Sequence, residues 1–175
     1  GDCHHLEPAM DAVLTVGIRN LGVDLIYGIP GQDLEAWQRD LRRALAWPIT
    51  HLSTYALTLE EGTAMAGADH LLADDDLQVA MWDVVEAATG PTAFRRYEVS
   101  NLAKPGFGCR HNLLAWHGGT YLGLGPAAAS FDGETRWAQP ADLTAWLAGE
   151  EPVEDRLPPT LRAAEILAFG LRTTA

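Results

Sequence analysis

The amino-acid sequence predicts an α/β fold, which consists of the last strand–helix–strand segments of a larger β/α unit followed by a smaller α+β region. Two observations predict it. Helix and strand patterns alternate in the first half, which is typical of parallel strands joined by a crossover helix. Short strand patterns with a hairpin signal occupy much of the second half. Hydrophobic residues make up 47% of the 175 residues, enough for a buried core.

The elements of the first half follow from the spacing of apolar residues. A helix is expected over 6–18, then a buried strand over 23–27 that ends in the tight loop 28–31. An amphipathic helix is expected over 34–45 and a second strand over 51–57. Because two strands cannot close a sheet, this half is expected to be the end of a larger unit.

The middle of the chain is expected to be irregular over 60–72 and helical from 74 to 88. Its three consecutive aspartates, Asp74–Asp76, would cap that helix and complement its dipole. A strand is then expected over 94–99, and a short helical piece over 113–116.

The last third predicts short elements. Strands are expected over 121–124, 128–131 and 135–137, and Asp132-Gly133 signals a hairpin between the last two. A short helix is expected over 141–147. We therefore divide the chain into four parts: 1–60, the end of the β/α unit; 61–148, an α+β region; 149–159, an acidic and Pro-rich linker; and 160–175, the start of a helical region.

Charge and composition exclude several classes of partner. The formal charge of −12 argues against nucleic acid and against anionic membranes, which need a basic face. The sequence contains no run of 18 apolar residues, so it predicts no membrane-spanning helix, and its first residues do not resemble a signal peptide. Two cysteines do not make a secreted disulfide framework, so we expect a cytoplasmic protein.

Asp24 is a candidate binding residue, because it is a carboxylate inside an apolar strand. An unpaired buried charge is costly, so Asp24 is expected to face a cavity, a ligand or a hydrogen-bond donor. The loop that follows would lie on the active face of a β/α barrel. The alternative is that Asp24 caps a neighbouring loop.

A second candidate is His111, which precedes Asn112 and Trp116. Cys109 and His111 alone are weak evidence for zinc. His111 is either a hydrogen-bonded structural residue or an axial haem ligand. Two further segments are less specific. The small residues of 123–130 suggest backbone packed against a ligand or another strand, and Cys3-His4-His5 is interpreted as surface or as the remnant of a truncated segment.

Three segments together resemble the oxygen-independent coproporphyrinogen III oxidase family of radical S-adenosylmethionine (SAM) proteins, in its haem chaperone branch. They are Asp-Leu-Ile-Tyr-Gly-Ile-Pro-Gly-Gln at 24–32, Tyr-Glu-Val-Ser-Asn at 97–101 running into Cys-Arg-His-Asn at 109–112, and Gly-Gly-Thr-Tyr-Leu-Gly-Leu-Gly at 118–125. The resemblance implies a partial radical SAM (β/α) barrel followed by a small α+β region.

The resemblance also implies cofactors. Members hold a [4Fe–4S] cluster on a Cys-x-x-x-Cys-x-x-Cys motif, and this cluster binds and cleaves SAM. Cys3 and Cys109 cannot supply three thiolates. We therefore expect the cluster motif to lie upstream of Gly1 and the chain alone to carry no cluster and to be inactive.

The family's functional residues map onto two groups. One group falls where relatives contact SAM: Asp24, Tyr55, Ala56 and, at a second ligand position, Ala129. The other falls at the haem motif: His111 as the iron ligand, with Asn112 and Trp116 shaping the pocket. Three residues depart from the chaperone pattern: Ala115 replaces Tyr, Ala127 stands where Gly is common, and Ala129 stands where His is common.

The sequence leaves three functions open. The first is a haem chaperone that binds haem and SAM and passes haem to an acceptor protein. The second is the oxidase, which decarboxylates coproporphyrinogen III propionates. The third is an inactive binding or structural piece. Whether the protein is an enzyme is not decided by its sequence.

Overall fold

The structure, a computed structural model, describes residues 6–60, 63, 65–68 and 71–173. The chain divides into two compact units, Gly1–Gly108 and Cys109–Ala175. Cys3-His4-His5 lies outside the described residues.

Among the residues described, the first unit contains a four-stranded sheet and three helices. Its elements are α1 (Leu6–Thr15), β1 (Gly22–Tyr27), α2 (Leu34–Ala46), β2 (His51–Ala56), α3 (Asp75–Thr89), β3 (Arg95–Arg96) and β4 (Asn101–Ala103). The sheet order is β1-β2-β4-β3. The predicted parallel pairing of β1 and β2 across α2 is confirmed, whereas β4 is antiparallel to both its neighbours.

The core of this unit lies between the sheet and the helices α2 and α3. Tyr27, Leu41 and Leu52 are buried in it. The Trp37 indole N–H donates to the Met81 carbonyl at 2.9 Å, which ties α2 to α3. Burial of these apolar side chains is the main favourable term for folding.

Local hydrogen bonds begin the two long helices. The Asp33 carboxylate accepts from the backbone N–H of Ala36, and the Asp74 carboxylate accepts from that of Leu77. Each satisfies one of the N–H groups that a helix start leaves without a partner. The predicted cap at the start of α3 is therefore present.

The strand expected over 94–99 is wrong in extent, because the chain reverses at 98–100 to form the β3–β4 hairpin. Glu98 is 1% exposed. Its carboxylate accepts hydrogen bonds from the backbone N–H of Ser100, at 2.8 Å, and from the side-chain amide of Asn101. These bonds close the turn. The chain therefore reverses at Glu98 instead of continuing the strand that residue propensities favour.

The second unit contains a three-stranded antiparallel sheet, ordered β5-β6-β7. Its elements are α4 (Arg110–Trp116), β5 (Ala129–Phe131), β6 (Arg136–Ala138), α5 (Leu143–Leu147), β7 (Val153–Asp155) and α6 (Pro159–Gly170). The predicted Asp132-Gly133 hairpin joins β5 to β6. Backbone N–H groups of Thr135 and Glu134 donate to the Asp132 carboxylate and lower its pKa.

Two expectations for this unit are corrected. The segment 121–124 forms no extended strand but one bridge, Tyr121 to Phe131. The segment expected to be a linker, 149–159, contains β7, because its backbone pairs with β6. Among the helices described, none has the length and apolar character needed to cross a bilayer.

Candidate functional site

Asp24 is the third of six residues in β1, not at its end, and its side chain is exposed. Alternate residues of β1 face opposite sides of the sheet, and Asp24 lies on the side away from the core. The expectation of a buried charge is therefore wrong. No residue described in the first unit forms a hydrogen bond or ion pair with Asp24, which leaves its oxygens available to a ligand's donors.

Tyr55 and Ala56 end β2, beside Ile26 and Tyr27 of β1. Tyr55 is 39% exposed and shares the face of Asp24, since the register pairs Asp24 with Ser53, two residues earlier. Ala56 packs against the core. A ligand at this end of β2 would meet the Tyr55 ring but only the backbone of Ala56.

The loop after β1 is held by Gln32. Its side-chain oxygen accepts from the backbone N–H of Gly28 at 2.8 Å, and its own N–H donates to the Ile29 carbonyl at 3.0 Å. Gly28 and Gly31 have φ of +72° and +78°, which glycine tolerates without strain. Gln32 was noted in the sequence only as the last residue of a motif; in the structure its side chain and backbone hold the turn together.

A cavity of about 490 Å³ follows the outer edge of β1, against α1 and α2. No described strand pairs with that edge. Most of its lining is apolar and includes Met10, Val13 and Trp47. The cavity thus accompanies an edge whose backbone groups are open to a further strand.

A histidine–tyrosine pair that the sequence did not single out lies on β2 and the β3–β4 hairpin. His51 Nε2 is 2.7 Å from the Tyr97 hydroxyl. Burial lowers the pKa of His51, although the charges of Asp24 and Glu98 act in the opposite direction. The residues Asp24, His51, Tyr97 and Glu98 therefore form an electrostatically connected group in the first unit.

The second candidate group belongs to α4. His111 is exposed, at the second position of the helix, and forms no side-chain hydrogen bond with a described residue. Because a helix turns about 100° per residue, Asn112 and Trp116 share one face, whereas His111 shares its face with Ala115. An unengaged neutral imidazole is suited to bind haem iron. Within the part of the chain that the structure describes, His111 is therefore not a hydrogen-bonded structural residue.

Trp116 is engaged by α6 and the residues after it. Its ring meets Phe169 edge-on, with centroids 5.5 Å apart, and the Arg172 guanidinium lies 4.3 Å from its centroid. Arg172 occupies a face that a porphyrin would need for stacking. Trp116 therefore holds α4 against α6 and contributes a wall rather than a free stacking surface.

The small residues at 123–130 pack backbone against backbone. A Cβ on Gly123 would overlap the carbonyl oxygen of Ala129, and the Gly123 N–H donates to the Ser130 hydroxyl at 3.0 Å. Of the two possibilities left open by the sequence, this contact favours packing against a strand. Ala127 has φ of +59°, in the left-handed region that favours glycine.

A second cavity, of about 240 Å³, lies within the second unit, and we call it the aromatic cavity. One wall holds the ion pair of Arg136 with Glu165, in which two oxygens accept at 2.8 Å and raise the pKa of Arg136. Its lining consists of Ala115, Trp116, Gly118, Tyr121, Phe131, Arg136, Arg162, Glu165, Ile166 and Phe169. Sequence reasoning singled out Ala115 and Trp116, and the 118–125 motif contains Gly118 and Tyr121, but the residues of β5, β6 and α6 carry no motif.

The described residues contain no cluster of three His, Cys, Asp or Glu side chains that could hold a metal ion. The candidate residues separate by unit. Asp24, Tyr55 and Ala56 belong to the first, and His111, Asn112, Trp116 and Ala129 to the second.

Comparisons with known proteins find haem chaperones and a radical SAM domain protein. The chain is 38% identical over 133 residues to the haem chaperone HemW of Mycobacterium tuberculosis, an alignment that covers 74% of this chain and 34% of the relative. It is 35% identical over 172 residues to HemW of Haemophilus influenzae, covering 92% and 44%. A mouse mitochondrial protein with a radical SAM domain is 37% identical over 130 residues, covering 69% and 29%. No family model matches the chain.

The fold has a solved counterpart. Coproporphyrinogen III oxidase of Escherichia coli, a radical SAM enzyme, superposes with a TM-score of 0.78 at 16% identity, over 99% of this chain and 45% of that one. Such a likeness establishes the fold alone. The chain spans less than half the length of the relatives it matches.

Proposed function

Because the chain belongs to the haem chaperone branch of the coproporphyrinogen III oxidase-like radical SAM family, we propose that it is part of a protein that binds haem and SAM and passes haem to an acceptor protein. The proposal concerns the full-length gene product, since the chain spans less than half of its relatives. We expect that protein to work in the cytoplasm. The observation that carries the proposal is the exposed, unengaged imidazole of His111 at the family's haem motif.

In this proposal His111 is the haem-iron ligand. Neutral imidazole is a common axial ligand, and α4 presents it to solvent. Asn112 and Trp116 lie on the neighbouring face of the helix and shape the pocket. Ala115 removes the aromatic group that the chaperone pattern has there, so we expect weaker haem binding than in a typical relative.

SAM is proposed to lie against the exposed face of β1 and β2. Asp24 would accept hydrogen bonds from it, Tyr55 would contact it through the ring, and Ala56 would contact it through backbone atoms. Ala129 would line a second ligand position. A [4Fe–4S] cluster in the full-length protein would supply the cleavage of SAM.

The haem proposal is tested by titrating the full-length gene product with haemin and following the Soret band. We expect His111→Ala to weaken binding at least tenfold, about 1.4 kcal/mol. His117→Ala, at the C-cap of the same helix, is the matched control and should bind like the wild type. Equal affinity of His111→Ala and wild type would refute the ligand assignment, and decarboxylation of coproporphyrinogen III would identify an oxidase instead.

The SAM proposal is tested by calorimetry on the same protein. Asp24→Asn, and likewise Asp24→Ala, should weaken SAM binding by roughly 1–3 kcal/mol, the scale of a lost hydrogen bond to a charged group. Asp11→Asn removes an exposed aspartate from α1 and should leave SAM affinity unchanged. If the Asp24 variants bind SAM as the wild type does, Asp24 has no part in the site.

A further inference from the structure

We infer that the aromatic cavity of the second unit binds a carboxylate side chain of the porphyrin, and that Arg162 is the residue that pairs with it. The inference rests on the proposed haem function and adds a second point of attachment to it. Haem carries two propionate groups, which are the carboxylates concerned.

Charge within the cavity favours an anion. The Arg162 guanidinium lies 4.2 Å from the centroid of the Phe131 ring, and its side chain has no hydrogen bond or ion pair with a described residue. Glu165, the acid of the cavity, is engaged by both hydrogen bonds from Arg136. A further acid, Asp155, has a carboxylate oxygen 3.9 Å from Nη1 of the same Arg136. Of the two arginines that line the cavity, Arg136 is paired with Glu165, whereas Arg162 forms no ion pair with a described carboxylate.

Tyr121 offers a second donor. It also lines the cavity, and its hydroxyl forms no hydrogen bond with any residue that the structure describes. Arginine binds planar carboxylates well, because its N–H groups can form two parallel bonds to the two oxygens. A carboxylate would thus meet one guanidinium and one hydroxyl donor between aromatic walls.

The size of the cavity limits what enters it. Pockets that enclose a whole drug-sized ligand measure about 300–1,000 Å³, whereas this one measures about 240 Å³. It cannot hold a porphyrin macrocycle. It has room for one edge of the macrocycle with its side chain.

The position of the cavity suits a porphyrin bound at His111. Ala115 is four residues after His111 on α4, so their Cβ atoms are about 6 Å apart on one helix face. Ala115 also lines the cavity. An edge of a macrocycle held by the His111 imidazole would therefore lie close to a residue that lines the cavity.

The test compares haemin with haemin dimethyl ester, whose propionates carry no charge, in absorbance titrations of the full-length gene product. We expect the wild type to bind haemin about tenfold more tightly than the ester. Arg162→Gln should bind haemin no better than the ester. Arg156→Gln, which removes an exposed arginine of the same unit, should keep the wild-type preference.

The outcomes separate this inference from the haem proposal. Equal binding of haemin and ester by the wild type, or an undiminished preference in Arg162→Gln, overturns the carboxylate site but leaves haem binding intact. A wild type that binds neither compound overturns both. If Arg162→Gln melts at a lower temperature than wild type, Arg162→Lys serves in its place. It keeps the charge without the planar fork and should show an intermediate preference.

Discussion

At the scale of single residues, Ala127 has a backbone conformation that suits a different amino acid. Its φ of +59° brings a Cβ close to the following carbonyl oxygen, which costs about 1–2 kcal/mol in an L-residue and almost nothing in glycine. The Ala127 N–H is nevertheless used, since it donates to the Pro140 carbonyl at 3.0 Å. Glycine is common at this position in the chaperone pattern, and the positive φ supplies the physical reason.

We predict that Ala127→Gly stabilises the protein by about 1 kcal/mol, because relief of strain exceeds the entropy that glycine adds to the unfolded chain. Urea unfolding of the wild type and the variant measures the change. Ala128→Gly is the control, since Ala128 has no positive φ, and it should be neutral or destabilising. A destabilised Ala127→Gly would contradict the strain.

The partly buried position of His51 leads us to predict that the stability of the protein depends on pH. Burial holds its pKa below the usual 6.5, against the opposing charges of Asp24 and Glu98. The unfolded chain therefore takes up the proton first as pH falls. His51 therefore makes the free energy of unfolding depend on pH. Its contribution is largest above pH 6.5, decreases as pH falls through 6.5, and becomes constant below the pKa of the folded state.

The measurement is urea unfolding at several pH values on both sides of 6.5, for the wild type and for His51→Gln. The stability difference between them should shrink as the solution becomes more acidic. Tyr97→Phe keeps the ring but removes the hydroxyl that faces Nε2, and should leave the sign of the pH dependence unchanged. A difference that does not vary with pH would show that His51 is not the titrating group.

At the scale of elements, the β3–β4 hairpin depends on one buried carboxylate. Glu98→Ala would leave the Ser100 N–H and the Asn101 amide without their acceptor in a buried turn. Each unsatisfied buried donor costs about 1–3 kcal/mol, so we predict a loss of roughly 2 kcal/mol or more. Urea unfolding followed by tryptophan fluorescence measures it, with the exposed Glu150→Ala as control. A loss below 0.5 kcal/mol, of the order of ordinary surface changes, would assign the turn to the backbone alone.

The same hairpin shows what the sequence could and could not predict. The helices α2 and α3 and the parallel pair β1–β2 were predicted, because apolar spacing and capping aspartates are local signals. β3, β4 and β7 have two or three residues each, and their existence depends on partners distant in the chain. β7 is Val153-Glu154-Asp155, an acidic run that by itself is typical of a linker. Short pairings of this kind leave no periodic pattern to read.

At the scale of the whole molecule, the family and fold were recognisable from three motifs, whereas the placement of the candidate residues was not. The order and spacing of the three motifs can be read directly from the sequence, so membership of the family could be predicted. Asp24 was expected at a buried strand end because its neighbours are apolar, and the position of β1 at the sheet's edge reverses that expectation. Arg162 could not be found, because its cavity exists only once α6 lies against β5 and β6.

We predict that the 175-residue chain on its own does not assemble a [4Fe–4S] cluster, since two cysteines cannot provide the three thiolates the family uses. Anaerobic reconstitution with iron and sulfide, followed by absorbance spectra and iron counting, measures this. Coproporphyrinogen III oxidase of Escherichia coli, a radical SAM enzyme, treated identically is the positive control. Four irons per chain would refute the argument.

The outer edge of β1 also has a consequence for how the polypeptide behaves in solution. An edge strand with open N–H and C=O groups is a template for aggregation, above all when its residues are apolar and β-prone, as in Val-Asp-Leu-Ile-Tyr at 23–27. Asp24 carries the only charge in that run and therefore acts as a gatekeeper against self-association. Its replacement by a neutral residue should then promote self-association of the 175-residue chain, which light scattering of the wild-type chain and of its Asp24→Asn variant measures.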